Sequence, residues 1–236
     1  MIIGRGLLAT ALKEIDKDNV VFYANGVSDS TIESIADGNF EAKEITGIAK
    51  QKTAKTFIYF STIQVNAPEN FERPYVIHKI KMEELVKHLF PDYLIIRTSN
   101  IIGNNPWNTH TLFNYLYNSL KEGEKISVVA SASRNVLDVE HFIKIVDQYL
   151  IHYKKEAATI NIVNQISYPM FEILSAFEKI FEAKFMKGNA KITIAKFEAP
   201  CLFSAQLIKE CGIELENYLE NVIKKYYPLF TKGQPA

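Results

Sequence analysis

The 236-residue sequence predicts an α/β protein, a doubly wound parallel sheet with helices on both faces. Three observations predict it. Short, nearly continuous apolar runs alternate with longer segments of helical character, the pattern of strands buried on both faces and joined by crossover helices. A glycine turn, Gly4-Arg5-Gly6, separates the first apolar run from the first helix. With 47% hydrophobic residues, the chain can bury a core without help from disulfides or metals.

The elements follow in order. Met1-Ile2-Ile3 is a short first strand, the glycine turn follows it, and Leu7 to Ile15 reads as a helix. Asn19 to Ala24 is a buried strand closed by the turn Asn25-Gly26. Residues 40–53, rich in Ala, Glu, Lys and Ile, read as a helix, and Thr56 to Phe60 is a strand ended by Ser61-Thr62. Pro74 suits the first turn of a helix over 75–89. Asp92 to Arg97 is a strand, Asn108 to Lys121 a helix, Lys125 to Ala130 a strand, Val139 to Tyr153 a helix and Thr159 to Val163 a strand. Two further helices are expected at 170–182 and 217–226. Residues 1–100 with the returning segments at about 125–165 form the expected core, and 101–124 with 166–236 a smaller lobe. In such sheets ligands lie beyond the carboxyl ends of the strands, so the residues just after each strand are the candidates for function.

Composition excludes several classes. The charges balance, 27 basic against 27 acidic, which argues against nucleic-acid binding by bulk electrostatics. No apolar run approaches the length of a membrane span, and the start lacks the layout of a signal peptide. Cys201 and Cys211 form no metal-ligand pair and suit a reducing cytoplasm.

Gly4-Arg5-Gly6-Leu7-Leu8-Ala9 fits G-x-G-x-x-A between a strand and a helix, where glycine lets backbone approach a pyrophosphate. A plain tight turn would look the same, and Arg5 could reach a 2′-phosphate or simply be solvated. Tyr75-x-x-x-Lys79 places a phenol and an ammonium one helical turn apart, where the cation lowers the tyrosine pKa. Twelve tyrosines and twenty-three lysines give about one such spacing by chance, and Tyr117-x-x-x-Lys121 is a second. Context separates them. Tyr75 follows the Ser61-Thr62 strand end closely, whereas Tyr117 sits among apolar neighbours and reads as packing. A hydroxyl at a strand's carboxyl end with a Tyr–Lys helix suits hydride-transfer chemistry. Arg134, one of four arginines, could grip a diphosphate bidentately or pair with Asp138. Asn100 reads as a ligand-facing amide or a turn residue, and Ala24-Asn25-Gly26 as a close approach for a cofactor or a plain turn. Trp107, Asn108 and His110 fall in the lobe, Trp107 as a stacking or a packing residue; His78 is given no role.

Together these pieces resemble the extended short-chain dehydrogenase/reductases, the NAD-dependent epimerases and dehydratases of nucleotide sugars, with a Rossmann-like sheet. Phe57 to Thr62 resembles the strand ending in the catalytic hydroxyl, and Pro74 to Lys79 the catalytic helix. Tyr93 to Asn100 resembles the next strand and turn, and Ser133 to Val139 the late motif with its diphosphate-binding arginine. The resemblance implies Thr62, Tyr75 and Lys79 as catalytic residues. It implies Gly4, Arg5, Gly6, Leu7, Leu8, Ala24, Asn25, Gly26, Phe60, Ser61 and Thr98, with Tyr75 and Lys79, as the lining for NAD or NADP. Thr62, Asn100, Leu112 and Arg134 would contact a nucleotide-sugar substrate, with no metal. It further implies a homodimer through the helices at about 41–53 and 75–89.

The chain departs from the family pattern in ways that narrow the expectation. A strand–helix–strand piece is missing between residues 15 and 20, so the sheet should be reduced in strand number. No acid stands about 20 residues beyond the glycines to bond a ribose hydroxyl. Ile63-Gln64 follow Thr62 where family dehydratases carry acids, which disfavours dehydration. The expectation is hydride transfer at one sugar carbon, C4, with a reductase favoured, serving surface polysaccharide or deoxysugar synthesis. A 4-epimerase is the alternative, and a non-catalytic nucleotide-binding protein on the same fold is the alternative of another class.

Overall fold

A computed structural model describes residues 1–28, 38–51, 55–105, 111–126, 132–187 and 201–229. The elements in chain order are β1 (Ile2–Ile3), α1 (Leu7–Ala11), β2 (Val20–Tyr23), α2 (Gly38–Lys50), β3 (Thr56–Thr62), α3 (Pro74–Leu89), β4 (Tyr93–Thr98), β5 (Asn100–Ile102) and α4 (Leu112–Glu122). They continue as β6 (Lys125–Ile126), β7 (Ser133–Asp138), α5 (Val139–His152), β8 (Ala158–Ile162), β9 (Ser167–Pro169), α6 (Met170–Phe181), β10 (Met186–Lys187), α7 (Leu202–Glu210) and α8 (Tyr218–Tyr226). The strand expected over Lys125 to Ala130 is described only as Lys125–Ile126; the rest of that run lies outside the described residues, as do Trp107, Asn108 and His110.

Five parallel strands form the main sheet in the order β1-β2-β3-β4-β8. Strand alternation divides the core in two. Val20, Phe22, Ile58, Phe60, Leu94 and Ile96 face one side, joined by Leu12 and by Phe142 and Ile143 of α5. Val21, Tyr23, Phe57, Tyr59 and Ile95 face the other, against Ile45 and Ile48 of α2 and Met82 and Val86 of α3. Continuous apolar runs in the sequence are the consequence, since both faces of each strand are covered.

The first connection is anomalous in hand. β1–α1–β2, β2–α2–β3 and β3–α3–β4 all step the same way across the sheet. Helices α2 and α3 pass over one face, whereas Leu8 and Ala11 of α1 pack on the opposite one. The first crossover therefore has the opposite hand to the other two. Right-handed connections prevail in about 98% of cases, so β1–α1–β2 is the left-handed one. The short connection from α1 leads straight into β2, which pairs directly with β1. β1 is the sheet's edge, and the order of these five strands contains no reversal of the kind that normally opens the dinucleotide crevice.

Helix α7 is an element the sequence reading lacks. It docks on the sheet through Ser204, whose hydroxyl donates to the Asn161 carbonyl at 2.7 Å and accepts from the Val163 amide at 3.1 Å. The first core cluster runs from the sheet on through α6, α7 and α8, ending at Tyr227. At the end of β3, α3 and β4 are tied by a buried carboxylate. Glu83 accepts from Ser61 Oγ at 2.6 Å and from Arg97 Nε and Nη2 at 3.0 and 2.5 Å. Arg97 Nη1 in turn reaches Asn66 at 2.6 Å.

Candidate active site

The carboxyl ends of β3 and β4 and the first turns of α3 bring the central candidates together. β3 and β4 pair with Ser61 opposite Arg97 and Thr62 opposite Thr98. Thr62 is buried and caps a short turn, its Oγ1 accepting from the Gln64 amide at 3.3 Å. The Thr98 hydroxyl is buried and has no hydrogen-bond partner among the described residues. An unpaired buried hydroxyl at a strand's carboxyl end marks a place where a ligand or water completes the bond. Tyr75 follows Pro74 at the start of α3 and packs with Val65, Val76, Val27 and Ile80.

Lys79, one turn further, is 2% exposed. Its Nζ donates to Tyr59 Oη at 3.0 Å and lies 3.5 Å from the Phe60 carbonyl and 3.7 Å from Glu41 Oε1. Burial pulls its pKa below the usual lysine value, opposed by the charges of Glu41 and Glu83. Glu41, on α2, is itself buried. It accepts from Tyr59 Oη at 2.7 Å and from the Val27 amide at 2.9 Å, and His78 Nε2 lies 2.7 Å from its other oxygen. Burial pushes the Glu41 carboxyl up, but the bond from His78, the Lys79 charge and the bonds from Tyr59 and Val27 outweigh it and hold the pKa at about 2. Glu41, Tyr59 and His78 are the residues that sequence reasoning missed. His78, given no role there, is in hydrogen-bond contact with the carboxylate that partners Lys79.

The glycines have distinct tasks. Gly4 has φ +130°, and a Cβ there would sit 2.4 Å from the Ala24 carbonyl oxygen. The turn after β1 thus lies hard against the end of β2. A Cβ at Gly26 would sit 2.8 Å from Lys79 Nζ and 2.9 Å from Glu41 Oε1, so Gly26 lets backbone rest on that pair. Around Gly6 there is open space. Arg5 is exposed.

Other candidates are engaged structurally. Leu8 and Leu112 pack on the main core, and Leu7 fills the space beside Gly103. Asn25 donates to Glu44 at 2.9 Å, and Asn100 donates to the Asn135 carbonyl at 2.9 Å, fastening β5 to β7. Arg134 stands on β7, and Asp138 is not its partner: that carboxylate caps α5 through the Glu140 amide at 2.7 Å and pairs with Lys225 at 2.9 Å. Residues four apart share a helix face, but on a strand they lie well separated, so the expected alternative of an Arg134–Asp138 pair is not realised. Arg134 is half-buried, donates to the Ser133 carbonyl at 3.0 Å, and is held below the usual arginine pKa by burial and by the charge of Arg73. Two guanidiniums so placed suit an anion.

Among the described residues no group of acids, histidines and cysteines could hold a metal, and no helix is long and apolar enough to cross a membrane.

Comparison with known proteins bears on the fold. The fold is similar to UDP-glucuronic acid 4-epimerase from Bacillus cereus, solved with a fluorinated UDP-sugar and NAD, at 17% identity and a TM-score of 0.69 over 91% of this chain and 78% of that one. It is also similar to dTDP-4-dehydrorhamnose reductase from Bacillus anthracis with NADP (19% identity, TM-score 0.64, 93% and 83% covered). A third similar structure is RMD from Pseudomonas aeruginosa with NADPH (16% identity, TM-score 0.63, 87% and 79% covered). No curated protein sequence matches the chain. The sequence model of the NAD dependent epimerase/dehydratase family matches residues 8–163, from α1 through the strand β8 that completes the sheet, and the chain belongs to that family.

Proposed function

We propose that the protein is an NAD(P)-dependent reductase acting at one carbon, C4, of a nucleotide-linked sugar. The observation that supports this best is the pairing of Thr62 with Thr98, whose hydroxyl is unpaired among the described residues, at the carboxyl ends of β3 and β4, with Tyr75 packed on Val65 just after β3 and Lys79 held against Tyr59 and Phe60 of β3. The residues present fit the nicotinamide half of a dinucleotide: a buried hydroxyl lacking a partner among the described residues, a buried ammonium, and open space at Gly6. Lys79 and Tyr75 would hold the ribose beside the nicotinamide, and Gly4, Gly6 and Gly26 would border the pyrophosphate side. When bound, the cofactor supplies the hydride.

The protein's own part is proton transfer and position. Tyr75 would deliver its phenolic proton to the sugar oxygen in reduction. The Lys79 ammonium makes the resulting tyrosinate less costly, and Thr62 would orient the sugar oxygen. Arg134 and Arg73 would receive the substrate diphosphate. The edge position of β1 favours a reductase over an epimerase, because an epimerase must retain its cofactor through each turnover and, among the described residues, no strand lies beyond β1 for the adenosine half to lie against. A homodimer through α2 and α3, which lie together on one face of the sheet with Phe40 exposed, belongs to the same proposal. So do a cytoplasmic location and a role in surface polysaccharide synthesis.

The test is turnover of a panel of nucleotide 4-keto sugars with NADH and NADPH. Tyr75→Phe is expected to lower kcat by at least about 100-fold, and the variant retaining full turnover would overturn the assignment. Cofactor that stays bound through purification would reverse the preference for a reductase.

A further inference from the structure

We infer that Glu41 is a positioning residue that acts through Lys79, anchoring the ammonium beneath the turn after β2 and keeping it charged. The functional meaning of this rests on the Tyr75–Lys79 pair of the proposed function; its test does not.

The geometry carries the argument. Lys79 is sealed from water, and a buried ammonium without a counter-charge gives up its proton. Among the described residues its nearest anion is Glu41, 3.7 Å away, and the two are also bridged by the Tyr59 hydroxyl, which accepts from Lys79 at 3.0 Å and donates to Glu41 at 2.7 Å. Glu41 is fixed in turn by His78 and by the Val27 amide. The carboxylate is therefore held from β3, from α3 and from the segment after β2, and it leaves the ammonium one well-defined location. Gly26 has no side chain where one would collide with both members of the pair.

The charged and titratable groups around Lys79 are few. α2 offers Glu41; β3 offers Tyr59; α3 offers Tyr75, His78 and Glu83. β2 offers Tyr23, which faces Glu41 and donates to Glu44 at 2.6 Å. Glu83, the other nearby acid, is already committed to Arg97 and Ser61. Glu41 is thus the carboxylate shared between Lys79 and His78, and its loss removes the counter-charge that lies nearest to Lys79 among the described residues.

The experiment labels lysine side chains with carbon-13 at Cε and follows the Lys79 resonance against pH in the free, full-length protein, assigned with Lys79→Arg. In the wild type Lys79 is expected to remain an ammonium beyond pH 8. In Glu41→Gln, which keeps the side-chain length but removes the charge and turns one accepting oxygen into a donor, its midpoint is expected to fall by at least about one pH unit, a tenfold change in proton affinity. Glu41→Asp is expected to stay close to the wild type. An unchanged midpoint in Glu41→Gln overturns the inference. Should that variant not fold, the wild type alone decides, since a Lys79 midpoint below pH 7 overturns the inference equally. Because no substrate or cofactor is present, failure here is distinct from failure of the proposed reaction, which Tyr75→Phe turnover reports.

Discussion

Gly26→Ala tests the packing on which the site depends. Gly26 does not have a positive φ, so alanine is compatible with its backbone and by itself would add about 0.4–1 kcal/mol of stability through the unfolded state. The contact decides otherwise. The new methyl would lie 2.8 Å from Lys79 Nζ and 2.9 Å from Glu41 Oε1, against an ordinary separation of roughly 3.5–4 Å. Both must retreat, each by about an ångström. Both atoms end flexible side chains, but neither is free to swing, because Glu41 has three other hydrogen-bond contacts and Lys79 is buried beside Tyr59. Overpacking of this size costs about 1–3 kcal/mol, so the net expectation is destabilisation of about 1–2 kcal/mol. The functional cost should be larger. An ångström of displacement at a catalytic group costs about 100-fold in rate, and Lys79 is the group displaced. Urea unfolding gives the first number and turnover of the keto sugar the second. The same substitution made with Lys79→Met should lose less stability, since one of the two collisions is gone. A Gly26→Ala protein as stable and as active as the wild type would refute the reasoning.

Two further predictions follow from single groups. Thr98→Val replaces an unpaired buried hydroxyl by an isosteric methyl; unfolding should show the ligand-free protein unchanged or stabilised by about 1 kcal/mol, while NADH binding measured by fluorescence weakens. Acid unfolding should report Glu41: its folded pKa, about 2, lies below the ordinary value of 4.5, so its stabilisation is present above pH 4.5 and is lost as pH falls towards 2. That loss is about 3 kcal/mol over the interval and should be missing from the acid limb of Glu41→Gln.

Much of the site was legible because its signals are local. Tyr75 and Lys79 share a helix face by spacing alone, and Ser61-Thr62 ends an apolar run that could only be a buried strand. The immediate succession of the first helix and β2 was legible too, from residues 15–20. Asn100 and Leu112 show the opposite case. Each stands at the start of an element, and the contacts it makes, Asn100 with the Asn135 carbonyl and Leu112 with the main core, come from elements distant in sequence.

By itself, then, the sequence determined the α/β class, the order of the crossover units and the local Tyr–Lys couple, because periodicity and i,i+4 spacing are properties of neighbouring residues. Tertiary structure alone decided what surrounds that couple. Glu41, Tyr59 and Lys79 are 18, 20 and 38 residues apart in pairs, and their meeting depends on α2 and α3 docking against the same face of β3. It also decided that β1 ends the sheet behind a left-handed crossover, since a strand's choice of neighbour is made by packing across the whole sheet. The Tyr–Lys spacing was written locally; the carboxylate beside Lys79 and the edge position of β1 come from long-range contact.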